Sequence, residues 1–132
     1  MPQFTIEHLS ERNLAEAHAI VALSNHPASC WDDEALALIR RGGGVLAARA
    51  ADGTVHGIAS YEMVDKRHAG RVLAVDRLVA FELSRRQPVR QALIDALQRI
   101  SEGFGCTAVT GAEPLSRAAR NDDRAARASR SR

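Results

Sequence analysis

The segment from residue 71 to residue 111 constrains the fold most strongly. Residues 71–81 form a long, mostly apolar run, which predicts a buried strand. Pro88 suits the first turn of a helix, and the apolar residues after it recur at helical spacing as far as Gly103. Residues 106–111 then predict a short buried strand. A strand, a helix and a strand in this order predict a crossover connection between two parallel strands.

The rest of the chain predicts two helices and three strands around this crossover. In chain order these are a strand at 3–9, a helix from Ser10 that ends before Asn25, a helix at 31–40, and strands at 45–50 and 55–65 joined by an Asp52-Gly53 turn. We interpret the glycine run at 42–44 as a flexible linker after the second helix. The order β-α-α-β-β-β-α-β predicts an α/β (α+β) fold with a mixed, mostly antiparallel sheet flanked by helices.

The net charge of +2 is unevenly distributed along the 132 residues. Residues 117–132 hold six arginines against Asp122 and Asp123, a net of +4, which leaves −2 for residues 1–116. We therefore expect a folded domain at 1–113 and an Arg/Ala-rich tail at 114–132 that is helical or frayed. A slightly acidic body argues against a nucleic-acid partner, except through the basic tail.

Other classes of protein fit this composition poorly. No run of about 18 apolar residues is present, so no membrane partner is expected. Cys30 and Cys106 are too few for a disulfide scaffold, which favours a reduced, cytoplasmic protein. The histidines and cysteines lack metal-ligand spacing, and we expect no metal site.

A family resemblance is carried by residues 72–110, VLAVDRLVAFELSRRQPVRQALIDALQRISEGFGCTAVT. This segment resembles the GNAT superfamily of acyl-CoA-dependent N-acetyltransferases. In that family an apolar strand leads through a loop of form Arg/Gln-x-x-Gly-x-Gly/Ala into an apolar helix. The resemblance covers roughly residues 3–115, and it implies a GNAT-type sheet and acetyl-CoA as co-substrate.

The resemblance also implies a set of cofactor-binding residues. Val79 and Ala80 would hold the pantetheine arm through main-chain hydrogen bonds. The pyrophosphate would contact the loop and the start of the helix, at Arg85, Arg86, Val89 and Arg90.

Two residues depart from the family's loop pattern. Pro88 and Arg90 stand where the family has small residues. Pro88 lacks an N–H donor, and Arg90 introduces a long side chain whose guanidinium can instead pair with phosphate. The fold implied by the resemblance survives both changes, whereas the implied cofactor contact is weakened.

The implied reaction moves an acetyl group to a primary amine of a small molecule or protein by direct attack. It needs a general base, for which Asp76 and Glu62 are positional candidates, and the alternative is that both are outward-facing strand carboxylates. Many family members use a tyrosine as acid on the helix after the parallel strand, and residues 114–132 contain none. Most members also add two further strands, and we expect a homodimer to cover the sheet edge left without them.

Two alternatives to an active acetyltransferase remain open at this point. One is a catalytically inactive GNAT-like binding or regulatory module that has lost acetyl-CoA binding. The other is an unrelated α/β binding domain, which the fold itself decides.

Overall fold

The computed structural model describes residues 4–24, 28–68 and 70–111, without the side chains of residues 28 and 29. The predicted Arg/Ala-rich tail at 114–132 and the loop residues 25–27 lie outside this range. The elements are β1 (Phe4–His8), a 3-10 segment (Glu11–Ala17), α1 (His18–Ala22), α2 (Ala28–Arg40), β2 (Gly44–Ala50), β3 (Val55–Lys66), β4 (Gly70–Ala80), α3 (Pro88–Gly103) and β5 (Ala108–Gly111).

The five strands form one sheet in the order β1-β2-β3-β4-β5. The first three pairings are antiparallel, and β5 joins β4 in parallel, with residues 108–111 opposite residues 72–75. Helix α3 makes the crossover between these two parallel strands. The predicted mixed, mostly antiparallel sheet flanked by helices is confirmed.

The predicted first helix is not continuous. Residues 11–17 form a 3-10 segment, and only five residues of α-helix follow. Asn13 has φ −120° and ψ 21°, outside the helical region. At the start of this segment Ser10 and Asn13 form a capping box, in which the main-chain N–H of Ser10 donates to Oδ1 of Asn13 at 2.6 Å. The interruption at Asn13 therefore lies within a capped helix start.

The core has one layer on each face of the sheet. Helices α1 and α2 cover one face, with Trp31, Ile20, Val45 and Ile58 in a shared cluster. Trp31 is 1% exposed, and its Nε1 donates to the carbonyl of Leu14 at 3.4 Å. The packing of α2 against the sheet therefore depends on this tryptophan. Helix α3 covers the other face through a second cluster around Leu46, Leu73, Leu93 and Leu97.

The glycine run at 42–44 ends α2 in a defined turn, and Gly43 and Gly44 are closely packed, so its interpretation as a flexible linker is wrong. The N–H groups of Gly42 and Gly43 donate to the carbonyls of Ile39 and Leu38 at 3.1 and 2.8 Å, which is the Schellman arrangement that ends a helix. A Cβ atom on Gly43 would lie 2.1 Å from the carbonyl oxygen of Tyr61. Glycine is needed here because α2 ends in contact with the backbone of β3.

Candidate functional site

The end of β4 has one open edge among the described residues. Strand β5 pairs with β4 only as far as Val75, which faces Gly111. From Asp76 to Ala80, β4 therefore pairs with β3 alone in the part of the chain that the structure describes. The register places Val75 opposite Tyr61 but Arg77 opposite Ser60, so Asp76 is the extra residue of a β-bulge. A bulge bends the strand locally, and this one lies where β4 and β5 separate.

Val79 and Ala80 lie on this open end, as the cofactor prediction requires. Both are half-buried, and they face Ile58 and Gly57 of β3. In an antiparallel pair, successive residues turn their main-chain groups alternately towards the partner strand and away from it. One of the two residues therefore presents its N–H and C=O to the open edge, where an extended amide-containing chain can add hydrogen bonds.

The N-terminus of α3 is held by a carboxylate of the same chain. The main-chain N–H of Val89 donates to Oε1 of Glu82 at 3.1 Å, and that of Arg90 donates to Oε2 at 2.8 Å. Gln87, at the N-cap position, is left-handed with φ 52° and makes no side-chain capping hydrogen bond. Glu82 therefore supplies the acceptors that an N-cap side chain normally provides.

Every main-chain N–H group at the start of α3, from Gln87 to Arg90, already has an acceptor. The N–H of Gln87 donates to the carbonyl of Ser84 at 3.1 Å, and Pro88 has no N–H. The donors of Val89 and Arg90 are both taken by Glu82. The two other predicted pyrophosphate contacts are exposed on the preceding loop, at Arg85 and Arg86.

The two candidate bases have different surroundings. Glu62 lies on β3 and accepts a hydrogen bond from Nη2 of Arg41 at 3.0 Å, with its side chain 32% exposed. Asp76 is exposed at the bulge and has no hydrogen bond or ion pair among the residues that the structure describes. Glu62 faces Ala74, two positions before Asp76, so both carboxylates lie on the same part of the sheet.

A polar group beside the bulge was not predicted from the sequence. Arg77 follows Asp76, and its Nε lies 3.6 Å from Oε2 of Glu34 on α2. Opposite Arg77, the hydroxyl of Ser60 is fully buried with no hydrogen-bond partner among the described residues. No local sequence pattern indicates this group because its members come from three separate elements.

A second feature, also missed, lies on the α3 face at the β1 end of the sheet. Nε2 of His8 and the hydroxyl of Tyr61 share a hydrogen bond of 2.8 Å. Nearby is a cavity of about 300 Å³ that contains none of the predicted site residues. It is lined by Ile6, His8, Leu46, Ala96, Arg99 and Ile100.

Burial raises the pKa of Tyr61 above its ordinary value near 10. The folded protein therefore holds the phenol proton more tightly than the unfolded chain does, and this stabilisation is complete below about pH 10. We expect the free energy of unfolding to fall as the pH rises from about 10 through the raised pKa. Urea unfolding between pH 8 and about 11.5 measures this, and Tyr61→Phe is expected to show a shallower alkaline decline. Equal declines in the two proteins would contradict it.

Two negative observations apply to residues 4–24, 28–68 and 70–111. No helix in these ranges is long and apolar enough to cross a membrane. Within the same ranges, no three side chains of His, Cys, Asp or Glu come together as metal ligands.

Comparison with known proteins identifies the fold. No family model matches the chain, and no curated protein matches it. Among solved structures, a ribosomal-protein-alanine N-acetyltransferase from Brucella melitensis is similar, with a TM-score of 0.68 and 22% identity over 82% of this chain and 78% of that one. An aminoglycoside N-acetyltransferase in complex with CoA gives a TM-score of 0.71 and 17% identity over 95% of this chain and 85% of that one.

A third structure agrees with these two. It is an aminoglycoside 6'-N-acetyltransferase from Acinetobacter baumannii, with a TM-score of 0.70 and 16% identity over 93% of this chain and 88% of that one. The protein therefore has the fold of the GNAT superfamily, and the expectation drawn from residues 72–110 is confirmed at the level of fold. An unrelated α/β fold is excluded.

Proposed function

We propose that this protein transfers an acetyl group from acetyl-CoA to a primary amine. The observation that carries the proposal is the open end of β4, residues 76–80, which leads directly into the loop and N-terminus of α3 within a GNAT fold. A structural neighbour of the same fold is a CoA complex. Fold alone does not determine function, so the groups at this end of β4 that can bind a ligand must also fit acetyl-CoA.

The pantetheine arm of CoA is an extended chain with two amide groups. It is suited to pair with the main chain of Val79 or Ala80, whichever faces the open edge. The pyrophosphate would then lie by the loop, where the guanidinium groups of Arg85, Arg86 and Arg90 offer charge-assisted hydrogen bonds. In this arrangement the guanidinium of Arg90 provides a phosphate contact at a position where the family has a small residue.

The reaction is a direct displacement at the thioester. The free amine attacks the carbonyl carbon, a C–N bond forms, the C–S bond breaks, and CoA leaves as a thiolate that takes a proton from solvent. Asp76 is the favoured general base because it is exposed at the point where β4 and β5 separate. Glu62 is the second candidate, but its carboxylate is occupied by an ion pair with Arg41.

A binding or regulatory module without acetyl-CoA is the second candidate function. One observation favours it specifically: Pro88 and Glu82 leave no main-chain donor available in the first turn of α3. Such donors, together with the helix dipole, are what make a helix N-terminus bind phosphate. A protein that no longer binds acetyl-CoA would not need these main-chain donors.

Two further expectations from the sequence stay proposals. We propose a homodimer in which the partner covers the outer edge of the sheet at β5, where most family members add two further strands. We also propose a cytoplasmic location, in keeping with the low cysteine count.

Calorimetric titration with acetyl-CoA tests the proposed function. We expect the wild-type protein to bind with a Kd of roughly 10–100 μM, which corresponds to between about −5.5 and −7 kcal/mol. A Pro88→Gly/Arg90→Gly double variant restores glycines at the two departing positions and is the matched comparison. Binding by the variant but not by wild type would favour the module without acetyl-CoA. Absence of binding by both would contradict the acetyltransferase, whereas turnover with a panel of amines would exclude the module.

A further inference from the structure

Glu82 occupies the N-terminus of α3, where the proposed function places the pyrophosphate of acetyl-CoA. Its two carboxylate oxygens accept the N–H groups of Val89 and Arg90, at 3.1 and 2.8 Å. These are the only main-chain donors in the first turn of α3 that point out of the helix, since Gln87 donates to Ser84 and Pro88 has none. A carboxylate and a phosphate are both anionic acceptors, so the two cannot share these donors.

We propose that Glu82 is an intramolecular competitor of acetyl-CoA, which must leave the N-terminus of α3 before the pyrophosphate can bind there. This inference rests on the proposed function. It adds that a residue of the same site regulates the affinity for acetyl-CoA. The closed state is the one that the structure shows. The open state frees two main-chain donors on the axis of a 16-residue helix, where the dipole favours an anion.

The segment that carries Glu82 is built to move with little loss of packing. It lies between the end of β4 and the start of α3 and has no regular structure. Leu83 is 80% exposed and Phe81 is 44% exposed, so little apolar surface of the segment is buried. The segment is anchored at its start, where the N–H of Phe81 donates to the carbonyl of His56 at 2.7 Å. Segments with little buried apolar area open at low free-energy cost.

The charges around the segment favour replacement of Glu82 by a more highly charged anion. Arg85, Arg86 and Arg90 lie within eight positions of Glu82 in the sequence. A pyrophosphate carries at least one more negative charge than a carboxylate and has more acceptor oxygens for guanidinium groups. The ligand therefore gains contacts with the arginines that Glu82 alone cannot make.

Removal of the carboxylate tests the proposal. Acetyl-CoA is titrated into wild type, Glu82→Ala and Glu82→Gln, the last of which keeps the shape of the side chain if alanine disturbs folding. The apparent affinity of a ligand falls by the fraction of protein in the competent state. If the open state is about a tenth of the population, Glu82→Ala binds acetyl-CoA about 10-fold more tightly than wild type, and Glu82→Gln lies between them.

Two controls separate competition from a general charge effect. Glu102→Ala, an exposed acidic residue at the other end of α3, makes the same change in net charge and is expected to leave the Kd unchanged. S-acetylpantetheine lacks the pyrophosphate, so its affinity is expected to be the same in wild type and Glu82→Ala. A gain for acetyl-CoA alone supports the proposal.

Failure of the Glu82 proposal and failure of the proposed acetyltransferase give different results. Equal acetyl-CoA affinity in wild type and Glu82→Ala would overturn the competitor and leave the proposed function in place, with the arginines as the pyrophosphate contacts. An equal gain with S-acetylpantetheine would overturn it as well. If no variant binds acetyl-CoA, both the competitor and the acetyltransferase are overturned.

Discussion

Asp76→Asn is expected to lower kcat for acetyl transfer by about 10²–10⁴-fold, with little change in the affinity for acetyl-CoA. Asparagine keeps the shape of the side chain but cannot accept the proton that the substrate ammonium must lose before it can attack as the free amine. Asp76 lies at the bulge of β4, where the sheet opens, and it is exposed. Steady-state rates with an amine acceptor, together with calorimetry, separate the chemical step from binding.

Two variants act as comparisons for this prediction. Asp65→Asn removes an exposed carboxylate of β3 that pairs with Arg71 at 3.2 Å, and it is expected to leave kcat unchanged. Glu62→Gln removes the second candidate base and is expected to cost less than Asp76→Asn because Glu62 is engaged by Arg41. A large loss in Glu62→Gln with full activity in Asp76→Asn would reverse the assignment of the base.

Trp31→Ala is expected to reduce the free energy of unfolding by about 3–5 kcal/mol. The side chain is 1% exposed in the cluster between α1, α2 and the sheet, so its removal leaves a cavity and loses the hydrogen bond to the carbonyl of Leu14. Native proteins have a total stability of about 5–15 kcal/mol, so at the low end of this range the loss leaves a large fraction of the molecules unfolded. Urea unfolding followed by circular dichroism measures it.

Leu23→Ala is the comparison for Trp31→Ala. Leu23 is 58% exposed at the end of α1, so the same kind of truncation is expected to change the stability by at most about 0.5 kcal/mol. Similar urea midpoints for Trp31→Ala and wild type would show that α2 does not depend on this contact.

The crossover of β4, α3 and β5 could be predicted from the sequence because each of its signals is local. Pro88 begins α3 and Gly103 ends it, as the helical spacing of the apolar residues predicts. The predicted last strand at 106–111 is observed at Ala108–Gly111, parallel to β4. Helix start and stop residues, together with the apolar periodicity, were sufficient to predict this crossover. The resemblance to the GNAT fold was carried by the same segment.

The two errors in the predicted fold have different origins. The sequence predicts a flexible position at Gly43, yet a Cβ atom there would lie 2.1 Å from the carbonyl oxygen of Tyr61 on β3, so a tertiary contact overrides composition. Asn13 lies within an apolar helical pattern and completes a capping box with Ser10, yet its φ and ψ leave the helical region. These contacts of Asn13 give no physical reason for the kink.

Only part of the candidate site could be proposed from the sequence. The sequence indicates the strand end at Val79 and Ala80 and the arginines of the loop, which stay proposed contacts. It does not indicate that Glu82 accepts the N–H groups of Val89 and Arg90, because that contact depends on the path of the loop between them. One signal was available: Gln87 is a poor N-cap, and a helix that begins with Pro at N1 and no capping side chain needs acceptors from elsewhere.

The central claim is that acetyl-CoA binds along the open end of β4 and at the N-terminus of α3. An amide chemical-shift titration of the ¹⁵N-labelled chain with acetyl-CoA tests it most directly, because each residue with an N–H reports separately. The largest changes are predicted at residues 76–80 and at Val89 and Arg90, as Glu82 releases its two donors. Changes confined to the cavity around Ile6 and Ile100, or no changes at all, would contradict the claim.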